Sequence, residues 1–168
     1  MIINLQDRLA TEVLQKYAKS HKDQGLTIGL TNGCFDMSHY YHYGTLGKCK
    51  RQCDILIVGV DSDRLIRETK GPDRPVFVEA HRVALIDAFQ VVDFAFIMDS
   101  LKDFEKVSEL VQPNFIFKND AFAGKEDEVV GVQKGTEIII VRDEEVLSST
   151  SAFINKIRNT KGQINEEE

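Results

Sequence analysis

Between Thr31 and Lys50 the chain reads TNGCFDMSHYYHYGTLGKCK, with His39 and His42 three residues apart behind an Asn-Gly break. On a helix, positions i and i+3 share a face, so the two imidazoles point the same way. Three chemistries compete for such a pair. As structural residues the histidines cap or pack the start of a helix. As metal ligands they supply two nitrogens, with Asp36 as a third donor, although a helix N-terminus favours anions over cations. As a phosphate site they add imidazole N–H donors to the free backbone amides of a helix start. Such donors matter most where charge builds up in a transition state. Phosphoryl-type transfer asks for little beyond positioning and charge neutralisation. The phosphate reading is preferred, because a strand end, a helix start and two histidines coincide.

The elements that must position this pair can be read from periodicity. Leu5, Leu9, Val13, Leu14 and Tyr17 recur at helical spacing, which predicts an amphipathic helix over about residues 5–22, stopped by Gly25. TIGLT, at 27–31, reads as a short buried strand, and a helix follows from about His42 to Gln52. DILIVGV, at 54–60, is a continuous apolar run, as in a parallel strand covered on both faces. Ser62 or Asp63 caps a helix to about Glu68. Further helices are predicted near 78–89, 100–111 and 150–158, and strands at about 92–98, 114–118 and 137–141.

Strands alternating with helices predict an α/β fold, here a three-layer, Rossmann-like, doubly wound, five-stranded parallel sheet. Ligands of such sheets bind at the carboxyl ends of the strands, at the switch point. The carboxyl end of the first predicted strand is the TNGCFD loop, so topology alone puts His39 and His42 in the ligand crevice. Residues 1–160 are read as one domain and 161–168 as a flexible tail.

Composition narrows the class. The chain has 168 residues, 42% hydrophobic and 29% charged, as expected of a soluble globular protein. A net charge of -6 argues against a general nucleic-acid or anionic-membrane surface. No signal peptide and no apolar run of membrane-spanning length is present, so a cytoplasmic location is expected. Cys34, Cys49 and Cys53 have neither zinc-ribbon nor Cys-x-x-Cys spacing, and are read as reduced thiols. A dehydrogenase is disfavoured: no G-x-G-x-x-G follows the first strand, and Asp61, the acidic residue ending the second strand, is weak support alone.

Asp36-x-x-His39-x-x-His42 after TNGCF resembles the HxGH signature of the nucleotidyltransferase superfamily of cytidylyltransferases and adenylyltransferases. The TNGCFD wording, the leading helix, the run Lys70-Gly71-Pro72-Asp73-Arg74-Pro75 and the pair His81-Arg82 most resemble the adenylyltransferase domain of bacterial ADP-heptose synthases. Glycerol-3-phosphate cytidylyltransferases come next. The likeness runs from the first helix to SSTSAFINKI. It implies an enzyme that moves a nucleotidyl group from a nucleoside triphosphate, ATP foremost, to a sugar phosphate such as heptose 1-phosphate. Pyrophosphate leaves, and Mg²⁺ accompanies the nucleotide. CTP-dependent transfer to glycerol 3-phosphate is the alternative, and a non-catalytic nucleotide-binding protein of the same fold is a second. A homodimer serving carbohydrate biosynthesis is implied as well.

The same resemblance assigns roles. His39, His42 and Lys70 carry catalysis, the histidines on the nucleotide phosphates. Asn32, Gly33, Cys34 and Phe35 line the nucleotide, with Arg82, Lys118 and Asn119. Ser149, Thr150 and Ser151 open the last helix against the triphosphate, and Lys156 falls where the family has Arg or Lys. Asp36, Lys70, Arg74 and Tyr41 face the acceptor. No metal site of the protein's own is implied. Two departures stand out. Tyr41 occupies the Gly position of the signature, and Lys118-Asn119-Asp120-Ala121-Phe122 keeps the Lys and an aromatic residue of a KGGDY-like run but not its Gly or later Asp.

Overall fold

The apolar run at 54–60 becomes the middle of the sheet in a computed structural model, which describes residues 1–142 together with Ile154 and Ile157. Strand β3 (Ile55–Asp61) is buried from Ile55 to Val60. It pairs in parallel with β2 (Ile28–Gly33) on one side and β4 (Phe94–Met98) on the other. Beyond β2 lie β5 (Phe115–Lys118) and then β6 (Glu137–Ile140), both parallel.

The expectation of five strands is corrected to six. β1 (Ile2–Ile3) adds in parallel to the outer edge of β4, giving the order β1-β4-β3-β2-β5-β6. Two residues are too few to show a period, and their partner lies far along the chain. Ala95 N donates to Met1 O at 3.1 Å, a contact that local pattern cannot announce.

The continuous apolar character of β3 follows from cover on both faces, because successive strand residues point opposite ways. Ile55 and Ile57 turn towards α1 (Arg8–Asp23) and α5 (Leu101–Val111), where Leu14, Ala18, Phe104, Val107 and Val111 complete one core. Leu56, Val58 and Val60 turn towards α2 (Tyr40–Lys50) and α4 (Glu79–Asp87), where Leu46, Cys49, Val83 and Ile86 complete the other. Each such fully buried aliphatic side chain is worth roughly 1.5–3 kcal/mol. Helix α1 starts later than its apolar period does, because the Asp7 carboxylate caps Leu9 N and Ala10 N. Helix α3 (Asp63–Lys70) leaves β3 directly, capped by Ser62 Oγ from Leu65 N.

The chain builds outward from β2 to β3 and β4, then crosses back to β5 on the other side of β2. That reversal opens a crevice at the carboxyl end of β2. Among the described residues no helix is long and apolar enough to cross a membrane. Of the predicted last helix only Ile154 and Ile157 are described, both helical; Ser149, Thr150, Ser151, Lys156 and the predicted tail lie outside the described residues.

Candidate active site

The crevice holds a cavity of about 610 Å³. Its floor and walls come from the strand ends of β2, β3 and β5, from the loop after β2, and from the first turns of α2. Asn32, Gly33, Cys34 and Phe35 line it, as their place at a strand end requires.

His39 and His42 both reach the cavity, with ring centroids 4.2 Å apart. His39 is the N-cap of α2 and His42 its third residue. The backbone N–H of His39 donates to His42 Nδ1 at 3.2 Å. A ring that accepts at Nδ1 carries its proton, when neutral, on Nε2. His42 therefore offers an N–H donor on the side away from the helix start. Phe35 stands edge-on to His42 at 5.7 Å, and Tyr41 edge-on to His39 at 5.7 Å. Burial lowers the His39 pKa, which favours its uncharged imidazole form. Tyr43 packs edge-on against Phe89, whereas Tyr40 is 78% exposed; of the tyrosine cluster only Tyr41 borders the cavity.

The loop that presents the pair is held by Asp36. Phe35 and Met37, flanking it, take positive φ of 50° and 48°. A left-handed L-residue costs roughly 1–2 kcal/mol, so something must hold them. The Asp36 carboxylate is fully enclosed and accepts from Arg74 Nε at 2.8 Å, Val76 N at 2.9 Å and Phe77 N at 3.0 Å. Burial by itself would raise the Asp36 pKa. The amides of Phe77 and Val76 and the Arg74 guanidinium outweigh it and hold the carboxyl below its ordinary value. Asp36 and Arg74, expected to face the acceptor, are paired with each other. Both border the cavity, but they clamp its loop to the segment after α3.

Arg82, expected on the nucleotide, is likewise engaged within the protein. It is 1% exposed and does not line the cavity. Its guanidinium donates to Phe77 O, Cys34 O, Asp61 O and Asp63 Oδ1 at 2.6–2.8 Å. It thereby ties together the loop after β2, the end of β3 and the segment before α4. Lys70, the last residue of α3, is exposed on the cavity rim.

Lys118 and Asn119 lie on the opposite wall, at the end of β5. Lys118 is 8% exposed; Nζ donates to Asn32 Oδ1 at 2.7 Å and sits 4.5 Å over the Phe104 ring. Burial pushes its ammonium down to about 8, against the pull of Asp61. Phe122, Leu101 and Phe117 give this wall an apolar surface.

Asp61 is the site residue that sequence reasoning passed over. It ends β3 and lines the cavity. Burial raises its pKa, with Asn32, Lys70, Arg82 and Lys118 opposing. Its Oδ1 is buried and accepts no hydrogen bond from the described residues. The only available signal was its place at a strand's carboxyl end. Among the described residues no group of three or more His, Cys, Asp or Glu is arranged to hold a metal ion.

Comparison with known proteins completes the description. A family model described as cytidylyltransferase-like matches residues 30–164. The bifunctional protein HldE of Wolinella succinogenes is 34% identical over 152 residues, 90% of this chain and 31% of its own length. The HldE of Campylobacter jejuni subsp. doylei is 38% identical over 140 residues, 83% of this chain and 30% of its own. The chain thus spans about a third of the length of the curated relatives it matches. Among solved structures, a lipopolysaccharide core biosynthesis protein from Thermoplasma volcanium GSS1 is similar with TM-score 0.56 and 28% identity, over 71% of this chain and 98% of that one. Pantoate-beta-alanine ligase from Francisella tularensis shares the fold at TM-score 0.54 and 14% identity, over 80% of this chain and 66% of that one.

Proposed function

This chain belongs to the cytidylyltransferase-like family and is a nucleotidyltransferase; from that premise we propose that it moves the adenylyl group of ATP onto heptose 1-phosphate or a closely similar sugar phosphate. The observation that carries this reading is the His39–His42 pair at the start of α2, opening on the crevice. The HldE relatives and the lipopolysaccharide core biosynthesis protein support a sugar phosphate as acceptor.

In this reading an oxygen of the acceptor phosphate attacks the α-phosphorus, and the bond from that phosphorus to the pyrophosphate oxygen breaks. No side chain becomes covalently bound. Negative charge spreads over the α- and β-phosphate oxygens, where His42 Nε2–H, the His39 ring and the amides of the first turn of α2 donate. Lys70 on the rim holds the acceptor phosphate. Lys118 and Asn119 take the nucleotide side, with the Asn32–Phe35 loop between. The substrate is the Mg²⁺ complex of ATP. Imidazoles, lysines and backbone amides suit its phosphates, and Mg²⁺ commonly binds through phosphates and water rather than a protein cage.

The deciding assay is pyrophosphate release with Mg²⁺, crossing ATP, CTP, GTP and UTP with a panel of sugar 1-phosphates and polyol phosphates. ATP with heptose 1-phosphate is the expected productive pair. CTP with glycerol 3-phosphate as the productive pair would replace this reading with the cytidylyl one. Nucleotide binding with silence across the panel would sink the acceptor assignment.

A pH dependence follows from Lys118. Its charge is present below about 8 and lost above it, and a charge-assisted hydrogen bond is worth roughly tenfold in affinity. Affinity of the free enzyme for a non-hydrolysable ATP analogue is expected to fall about tenfold as pH rises through this range. Titrations from acid to alkaline pH check it: Lys118→Met binds more weakly and lacks the limb. An unchanged limb in that variant would move the ionisation to another group.

A further inference from the structure

Resting on the sugar-phosphate reading above, we propose that Asp61 is the acceptor-specificity residue: its carboxylate takes hydroxyls of a neutral sugar whose phosphate lies on Lys70, and it turns away acceptors bearing a second anionic group. Three observations converge on it. The carboxylate lines the same cavity as His39, His42 and Lys70. Lys70 is close enough to act on it electrostatically, so a ligand anchored by its phosphate at Lys70 brings its ring towards Asp61. And Oδ1 is buried without a hydrogen bond from the described residues.

A buried acceptor left unmatched is a standing cost in the free protein. Asp61 is only partly buried and lines the cavity, so a rotation about its Cα–Cβ bond can turn the unmatched oxygen to a ligand hydroxyl. The neighbours define what fits. Asn32 from β2, Lys118 from β5, Lys70 from α3 and Arg82 from α4 surround the group. Lys118 Nζ is held by Asn32 Oδ1. The carboxylate and the ammonium, both next to Asn32, give this part of the cavity an acceptor and a donor. Hydroxyl groups, which both donate and accept, match such a pair. A phosphate or carboxylate placed there meets the Asp61 charge at short range.

The direction of the effect separates this role from a merely electrostatic one. Removing one negative charge beside an anion site, by itself, raises affinity for every phosphate. Loss of hydroxyl contacts lowers affinity for the monophosphate. The experiment is calorimetric titration of wild type and Asp61→Asn with heptose 1-phosphate, the same heptose carrying a second phosphate, glycerol 3-phosphate and a non-hydrolysable ATP analogue. In wild type the monophosphate binds at least ~10-fold tighter than the bisphosphate. In Asp61→Asn the monophosphate weakens about tenfold and the bisphosphate does not, and a melting curve like that of wild type shows that the variant is folded. A parallel rise for both sugar phosphates, or a change confined to the ATP analogue, overturns the inference alone. If wild type binds glycerol 3-phosphate and no heptose phosphate, the heptose reading falls. Asp61 is then judged by the same weakening for glycerol 3-phosphate. Silence from all the acceptors in wild type overturns both.

Discussion

His42→Ala is expected to lower turnover by at least ~10²-fold, with His39→Ala in the same range, the scale of one lost transition-state donor. The structure gives each ring a reason. His42 lines the cavity, and its Nδ1 accepts from the His39 backbone N–H, so a neutral ring carries its proton on Nε2. His39 caps the same helix and lies 4.2 Å away, so the two rings and the first-turn amides converge on one small region. Neither ring belongs to the two cores, so truncation leaves the sheet intact. His42→Ala also leaves the His39 N–H without its acceptor, a capping loss of about 1 kcal/mol that melting would register without unfolding the chain. Pyrophosphate release measures the main effect, and binding of a non-hydrolysable ATP analogue separates it from affinity. Turnover within a few-fold of wild type in either variant would remove the phosphate role.

Arg82→Met is expected to destabilise the protein by about 3–5 kcal/mol, the usual result of removing one partner from a buried ionic network. The variant strands Asp63 Oδ1 and the carbonyls of Phe77, Cys34 and Asp61. For a chain of this size that is a fall in Tm of roughly 6–20 °C. Arg82→Lys recovers only part, because an ammonium cannot span four acceptors set around a planar fork. Two of those acceptors, Cys34 O and Asp61 O, belong to residues that line the cavity. Activity lost here is therefore lost with the fold. A variant that melts like wild type while nucleotide affinity collapses would return Arg82 to the list of phosphate ligands.

Arg82, Asp36 and Arg74 show where reading a chain in one dimension stops. Basic residues beside a Gly-Pro loop and behind a nucleotide signature look like anion ligands, since residue type and local company are all that spacing conveys. Whether a guanidinium meets a phosphate, a carboxylate or a carbonyl depends on what is brought near it. Asp36 reaches Arg74, Val76 and Phe77 only because α3 turns the chain back over the loop after β2. Asp61 was missed for the mirror reason. Nothing local marks a carboxylate as unmatched until β2, β3 and β5 close around it.

The sequence by itself determined the alternation of strands and helices, the burial of 55–60 on both faces, and the place of His39 and His42 at the carboxyl end of a strand. These are consequences of short-range periodicity and of chain chirality, which leave few ways to wind a parallel sheet. Only the tertiary structure decided that two residues at the N-terminus extend the sheet, that Arg82 is buried among protein acceptors, and that Asp61 and Lys118 line one cavity. Those outcomes rest on pairings between distant segments, whose energies exist only after the cores have excluded water and fixed which charges are neighbours.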